Sequence, residues 1–410
     1  MWQKALDKML RSTLGRGNIC ICMPDGRVHR YGDETGKPLT VRLADTATVR
    51  RLVINPELAF GESYMNETLT VDGDEIQELI GLIVQNLNAT QRVWWQRPLL
   101  RLRVALRRFA QNNVAHRAKR NVAHHYDLSG QLYDLFLDED RQYSCAYFRD
   151  PSDTLEQAQT NKKHHIAGKL LIKPGMRVLD IGCGWGGMAI TLARDYGADV
   201  VGITLSKEQH AYAVERAARE GLSDRIDFRL CDYREVNETF DRVVSVGMFE
   251  HVGLPHFDTY FQTIRDRLSP GGIALVHTIG WTGPPDATNP WIAKYIFPGG
   301  YIPTASETLA AIERSRLWTA DIEFLRLHYA YTIRHWFDRF LENQSTVKDL
   351  YDDRFVRMWK FYLAASEQTF RHGRQAVFQF QLSKKIDSVP LTREYLSNAA
   401  RTDQSDRAAE

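Results

Sequence analysis

The chain has 410 residues, enough for two or three domains of ordinary size, which excludes a small disulfide-stapled scaffold. Hydrophobic residues make up 43% and charged residues 25%, and 53 Lys+Arg against 51 Asp+Glu leave a net charge of +2, which excludes both a histone-like polycation and a disordered acidic chain. The five cysteines, Cys20, Cys22, Cys145, Cys183 and Cys231, are an odd number without C-x-x-C spacing, the pattern of free thiols in a reducing cytosol.

Residues 1–8 are broken by charges before the apolar stretch of a secretory signal can form, so no targeting segment is expected. Residues 1–90 alternate short apolar runs with turn signals such as Pro24-Asp25-Gly26 and Asp72-Gly73-Asp74, which predicts a small α+β domain without a catalytic motif. The best apolar run, Leu79-Ile80-Gly81-Leu82-Ile83-Val84, falls far short of the ~18 residues that span a bilayer, so any meeting with a membrane is peripheral. Residues 91–123 are predicted to form a basic linker helix. No Asp or Glu occurs between residues 79 and 126, whereas Arg92, Arg97, Arg101, Arg103, Arg107, Arg108, Arg117, Lys119 and Arg120 all fall there. Leu99, Leu102, Leu106 and Phe109 recur on one helical stripe with Arg97, Arg101 and Arg108 roughly opposite, and Trp94 and Trp95 stand nearby. Such a segment suits an anionic lipid surface or nucleic-acid phosphates, and equally a linker with solvated arginines over a core stripe.

From residue 124 strands alternate with helices, which predicts an α/β domain, a parallel sheet wrapped by helices over 124–396, before a polar tail at 397–410. Its strongest signal is a buried strand over 176–181 that runs into Gly182-Cys183-Gly184-Trp185-Gly186-Gly187 and then a helix over 188–196. Glycines there let the backbone approach a ligand, and the helix start offers unpaired N–H groups and a positive dipole end. A dinucleotide fold wants an acidic residue at the end of the next strand, about 20 positions on. That strand, over 199–203, ends in Thr204-Leu205-Ser206, which disfavours NAD. Asp180 inside the first strand and Asp232-Tyr233 after a later one suit S-adenosylmethionine better, since a carboxylate can accept from an adenine amino group while an aromatic ring covers the base. Asp232-Tyr233 can equally be an ordinary strand-end turn.

These motifs carry a resemblance. His125-Tyr126-Asp127-Leu128-Ser129, Tyr143-Ser144-Cys145-Ala146-Tyr147-Phe148, Val178-Leu179-Asp180-Ile181 with its glycine turn, Gly202-Ile203-Thr204-Leu205-Ser206, and Ser245-Val246-Gly247-Met248-Phe249-Glu250-His251-Val252-Gly253 closely resemble cyclopropane-fatty-acyl-phospholipid synthases and the mycolic acid methyltransferases. The resemblance runs from about residue 120 to Leu396. It implies a class I S-adenosylmethionine-dependent methyltransferase, a Rossmann-like seven-stranded sheet with a helical lid insertion, behind a smaller N-terminal lipid-handling domain. It further implies that Gly182 and Gly184 hold the methionine end of the cofactor with Tyr143 and Ser144 closing over it. Thr204 and Gln209 then stand at the ribose, Asp232 and Tyr233 at the adenine, and Leu205 is a further cofactor-binding position.

Joining a methyl to an isolated cis double bond leaves a carbocation, which needs a dry, electrostatically supportive cavity and a base that removes a proton. The resemblance implies a bound bicarbonate ion as that base, held by Cys145, Glu250, His277, the backbone of Ile279, and Tyr329. By ligand type Cys145, Glu250 and His277 could hold zinc, but no close-spaced ligand pair supports it and no metal is expected. Phe249, Trp281, Tyr295, Phe297, Tyr301, Tyr329 and Trp336 could wall an acyl cavity, or fill the core. The expected function is methylene transfer to unsaturated phospholipid acyl chains at the inner face of a bacterial membrane, by a cytoplasmic, peripherally bound homodimer without nucleic-acid partners. A lipid C-methyltransferase leaving a methyl or methylene branch is the nearest alternative, with an amine N-methyltransferase or a non-catalytic lipid-surface protein behind it.

Overall fold

The computed structural model describes residues 1–89 and 130–396, so the basic stretch 91–123, the motif at 125–129 and the tail at 397–410 lie outside the described residues. The chain divides into two compact units: Met1–Arg107 with Asp286–Pro298 and Ile333–Gln375, and Arg108–Pro285 with Gly299–Thr332 and Ala376–Glu410. The expected unbroken stretch from 124 to 396 is therefore interrupted twice by segments that group with the N-terminal residues. Large apolar side chains account for this. Trp291, on the helix Pro290–Tyr295, and Phe361, on the helix Asp353–His372, have ring centroids 4.7 Å apart, and the Trp291 Nε1–H donates to Met65 Sδ at 3.3 Å.

In the first unit the helix Trp2–Thr13 leads into β1 (Ile19–Cys22), β2 (Val28–Tyr31) and β3 (Leu39–Leu43), and the helices Thr46–Ile54 and Pro56–Met65 precede β4 (Leu69–Val71) and the helix Ile76–Ala89. The four strands pair in the order β2-β1-β3-β4, with β1 antiparallel to β2 and parallel to β3. Alternation decides the buried face: Ile19 and Ile21 of β1 and Leu39, Val41 and Leu43 of β3 point inward. The predicted turn closes the β1–β2 hairpin, where Gly26 takes φ +82° and its N–H donates to Met23 O at 2.9 Å.

The second unit is built on seven strands, β5 (Arg177–Ile181), β6 (Asp199–Thr204), β7 (Ile226–Leu230), β8 (Phe240–Val246), β9 (Leu268–Trp281), β10 (Trp318–Leu325) and β11 (Gln375–Ser383). They lie in the order β10-β11-β9-β8-β5-β6-β7. β6 and β8 flank β5 in parallel, β7 and β9 continue the parallel pairing outward, and β10 runs antiparallel to β11. β5 is covered on both faces. Val178 sits in one apolar cluster with Val200 and Ile190, and Leu179 in the other with Val243 and Phe261, which is why the strand reads as a continuous apolar run. Strand order reverses between β5 and β8, so a crevice opens at their carboxyl ends, the place where such sheets hold ligands.

Candidate active site

Beyond Ile181 the chain turns through Gly182 (φ +80°), Gly184 (φ +54°) and Gly186 (φ +85°) into the helix Gly187–Tyr196. The N–H groups of Gly182 and Cys183 both donate to Ile203 O at 2.9 Å, which ties the turn to β6. A Cβ on Gly182 would lie 2.9 Å from that of Met248, whereas one on Gly184 would meet nothing within 4 Å, because Gly184 faces open space. That space is a cavity of about 160 Å³ over the carboxyl ends of β5, β6, β7 and β8.

Tyr143, Ser144, Asp180, Gly182, Gly184, Thr204, Leu205, Gln209, Asp232 and Tyr233 all line this cavity. Thr204 Oγ1 donates to Gln209 Oε1 at 3.1 Å, and Ser206 caps the helix Lys207–Arg219 that carries Gln209. Asp232 receives the Arg234 guanidinium through both oxygens at 2.7 Å, and its Oδ1 also accepts from the Arg234 N–H at 3.0 Å. Asp180 is 1% exposed, burial pushes its carboxyl up to about 7, and its Oδ2 has no hydrogen-bond partner. Sequence reading passed over Gln142, Trp185, Met248 and His251, which also line the cavity. Three of them stand inside the quoted motifs, so the signal was available. His251 is half-buried, and desolvation pushes its imidazole down to about 4, so it is neutral near pH 7.

The residues assigned to the base lie outside this lining. Glu250 follows the lining residue Met248 by two positions, on the short turn Phe249–His251 beyond β8. Its Oε1 accepts from the Ile279 N–H at 2.6 Å, its Oε2 has no partner, and desolvation raises its carboxyl to about 7. The Ile279 N–H thus holds the carboxylate. The apolar run over 273–276 predicts a strand ending at His277, but β9 continues to Trp281, where Trp281 N–H donates to Pro303 O at 2.9 Å. His277 still pairs with Val246, the last residue of β8, so it is level with the crevice. Its Nδ1 lies 3.1 Å from Gln379 Nε2; an amide nitrogen only donates, so Nδ1 accepts and the ring proton sits on Nε2. Burial drives this imidazole well below its ordinary range, hence neutral, and the buried Cys145 thiol is pushed well above its own. Tyr329 is buried in the same unit. Of the aromatic candidates, Phe249 and Tyr301 belong to the core cluster beside the sheet, while Tyr295, Phe297 and Trp336 group with the first unit.

Behind the cavity wall stands a feature that motif reading did not reach. The helix Leu155–Leu170 buries Lys162 completely, and its Nζ donates to Gln142 Oε1 at 2.6 Å and Ser144 Oγ at 2.8 Å. One turn earlier Gln159 Nε2 donates to the carbonyls of Gln142 and Ser144, at 3.2 Å and 3.0 Å. The segment 142–144 is thereby suspended from one helix.

Residues 113–380 match the family model described as mycolic acid cyclopropane synthetase, and residues 5–92 match that of a domain of unknown function. The chain is 36% identical over 378 residues to cyclopropane-fatty-acyl-phospholipid synthase of Escherichia coli (strain K12), covering 90% of this chain and 96% of that one. It is 43% identical over 285 residues to a probable fatty acid methyltransferase of Pseudomonas putida, covering 67% and 72% of the two. Among solved structures, mycolic acid cyclopropane synthase CmaA1 complexed with SAH and CTAB has a TM-score of 0.62 and 32% identity, over 65% of this chain and 98% of that chain. The glycine turn open to the cavity and the unpartnered acceptor on Asp180 fit S-adenosylmethionine, whose methionine end brings a cation to such a site. The chain belongs to the mycolic acid cyclopropane synthetase family and is an S-adenosylmethionine-dependent methyltransferase.

Proposed function

We propose that the protein converts cis-unsaturated phospholipid acyl chains to cyclopropane fatty acids, with bicarbonate held beside Glu250. Gly182 and Gly184 would hold S-adenosylmethionine, which would supply an electrophilic methyl group, the S–CH₃ bond breaking with its electron pair going to S-adenosylhomocysteine. The alkene π pair forms the new C–C bond, the neighbouring carbon becomes cationic, and loss of a proton from the added methyl closes the ring. The observation that carries this reading is the buried Glu250 carboxyl with a free Oε2, two residues from the cofactor cavity. With its carboxyl raised to about 7, its protonated form donates an O–H from Oε2, and His277 donates its Nε2–H. Two neutral donors with no buried positive charge of their own suit a small oxyanion that must remain basic. Bicarbonate there would supply the proton acceptor.

The acyl double bond lies inside a bilayer, and among the described residues no helix is long and apolar enough to cross one. The basic stretch from Arg92 to Arg120 therefore serves, in this reading, as the docking surface on anionic phospholipid, and the enzyme works as a peripheral homodimer. A second reading is supported by the likeness to a probable fatty acid methyltransferase: proton loss from a different carbon gives a methyl or methylene branch instead of a ring. Mass spectrometry of phospholipid acyl chains from bacteria expressing the gene decides between them. A gain of one CH₂ with the double bond lost is expected; a retained double bond establishes the branching reaction instead.

A further inference from the structure

We propose that Lys162 is a positioning residue that sets the hydrogen-bond polarity of the cofactor cavity, fixing the Ser144 hydroxyl as a donor toward the methionine carboxylate of S-adenosylmethionine. The inference rests on that cofactor's occupying the cavity.

A lysine ammonium has donors and no acceptor. Ser144 Oγ, 2.8 Å from Lys162 Nζ, must therefore accept, and its own hydrogen has to go elsewhere. Among the described residues no side chain or carbonyl accepts it, although Ser144 is 9% exposed and lines the cavity. What remains for that hydrogen is the cavity. The same constraint acts on Gln142, whose Oε1 accepts from Lys162 at 2.6 Å, so its amide NH₂ is also turned away as a donor. Burial lowers the Lys162 pKa only to about 8, so the group stays largely protonated near pH 7. On the same cavity Asp180 presents the opposite polarity, a buried acceptor without a partner. A donor at Ser144 and an acceptor at Asp180 match a zwitterion, and the methionine end of the cofactor is one, with its carboxylate for the donor and its ammonium for the acceptor. Lys162 itself does not line the cavity, and it acts through Ser144.

The test compares two ligands by calorimetric titration, S-adenosylmethionine and its decarboxylated form, which keeps the sulfonium and the amine but lacks the carboxylate. Hydrogen bonds to charged groups correspond to roughly 10- to 100-fold in affinity. Lys162→Met, which keeps the buried stem, and Ser144→Ala should each weaken S-adenosylmethionine by that factor and leave the decarboxylated ligand within about twofold of the parent. The double variant should lose no more than Ser144→Ala alone, since both act through one hydroxyl. A purely structural role for Lys162 would weaken both ligands together, and that result overturns the proposal. If Lys162→Met does not fold, Ser144→Ala still decides: equal loss for the two ligands means the hydroxyl does not meet the carboxylate. A parent that binds neither ligand overturns the cofactor reading itself, a distinct outcome from variants that fail to discriminate.

Discussion

Glu250→Gln should stabilise the protein above neutral pH. The carboxyl has an ordinary value of 4.5 and is raised to about 7 by desolvation, so the folded state holds the proton more tightly than the unfolded state does. The stability this contributes is complete below about pH 4.5 and is lost as pH rises to about 7. From 4.5 to 7 the preference amounts to about 3 kcal/mol, and a domain of about 250 residues moves by roughly 2 °C per kcal/mol. Glutamine is neutral at every pH and its side-chain oxygen can still accept from Ile279 N–H. The variant should match the parent near pH 4 and melt about 6 °C higher near pH 8. Asp180 and Asp138, raised to about 7 and about 6, slope the same way in both proteins and cancel in the difference. Thermal melts followed by circular dichroism at several pH values measure it. Curves that run parallel from pH 4 to pH 8 would refute a neutral buried carboxyl at this position. Glu250→Leu, which removes the donor at Oε2, should by contrast lower turnover about 10²–10⁴-fold with cofactor affinity nearly unchanged, since Glu250 lies outside the cofactor lining.

Gly184→Ala meets no atom within 4 Å, so its stability cost is the left-handed backbone alone, about 1–2 kcal/mol, yet the methyl enters the cavity and cofactor affinity should collapse in calorimetry. Gln in place of Arg97, Arg101, Arg107 and Arg108 should weaken binding to anionic vesicles by about 1 kcal/mol per residue at low salt; equal co-sedimentation with the parent would remove the docking surface from that stretch.

Local pattern carried the cofactor half of the site. An apolar run, a glycine turn and a helix are contiguous, so β5, Gly182 and Gly184 could be placed without any tertiary knowledge, and the order of the other motifs followed the strand ends of a parallel sheet. Lys162 could not be found this way. The stretch Lys162-Lys163-His164-His165 reads as a solvated helix face, and only the tertiary fold puts Asp138, Asp140 and Ser144 around it. The division of the chain was hidden for a similar reason: Trp291 and Phe361 are unremarkable aromatic residues until they meet Met65 and Tyr64, more than 220 positions earlier. The apolar run over 273–276 does not reveal that His277 lies inside a strand, because β9 outruns its apolar core and the extension meets its partner at Pro303.

The place of β11 between β9 and β10 bears on how the nascent polypeptide matures. Synthesis delivers β10 some fifty residues before β11, the strand that separates it from the rest of the sheet. Until β11 emerges, β9 and β10 each present an open edge, and Phe378 and Phe380 have yet to fill the layer beside Leu179 and Phe261. Open strand edges beside uncovered apolar surface are templates for association with other chains. The sheet thus becomes self-sufficient only once β11 is in place, and a chain stopped short of residue 375 would keep its parallel strands and glycine turn yet be a client for chaperones.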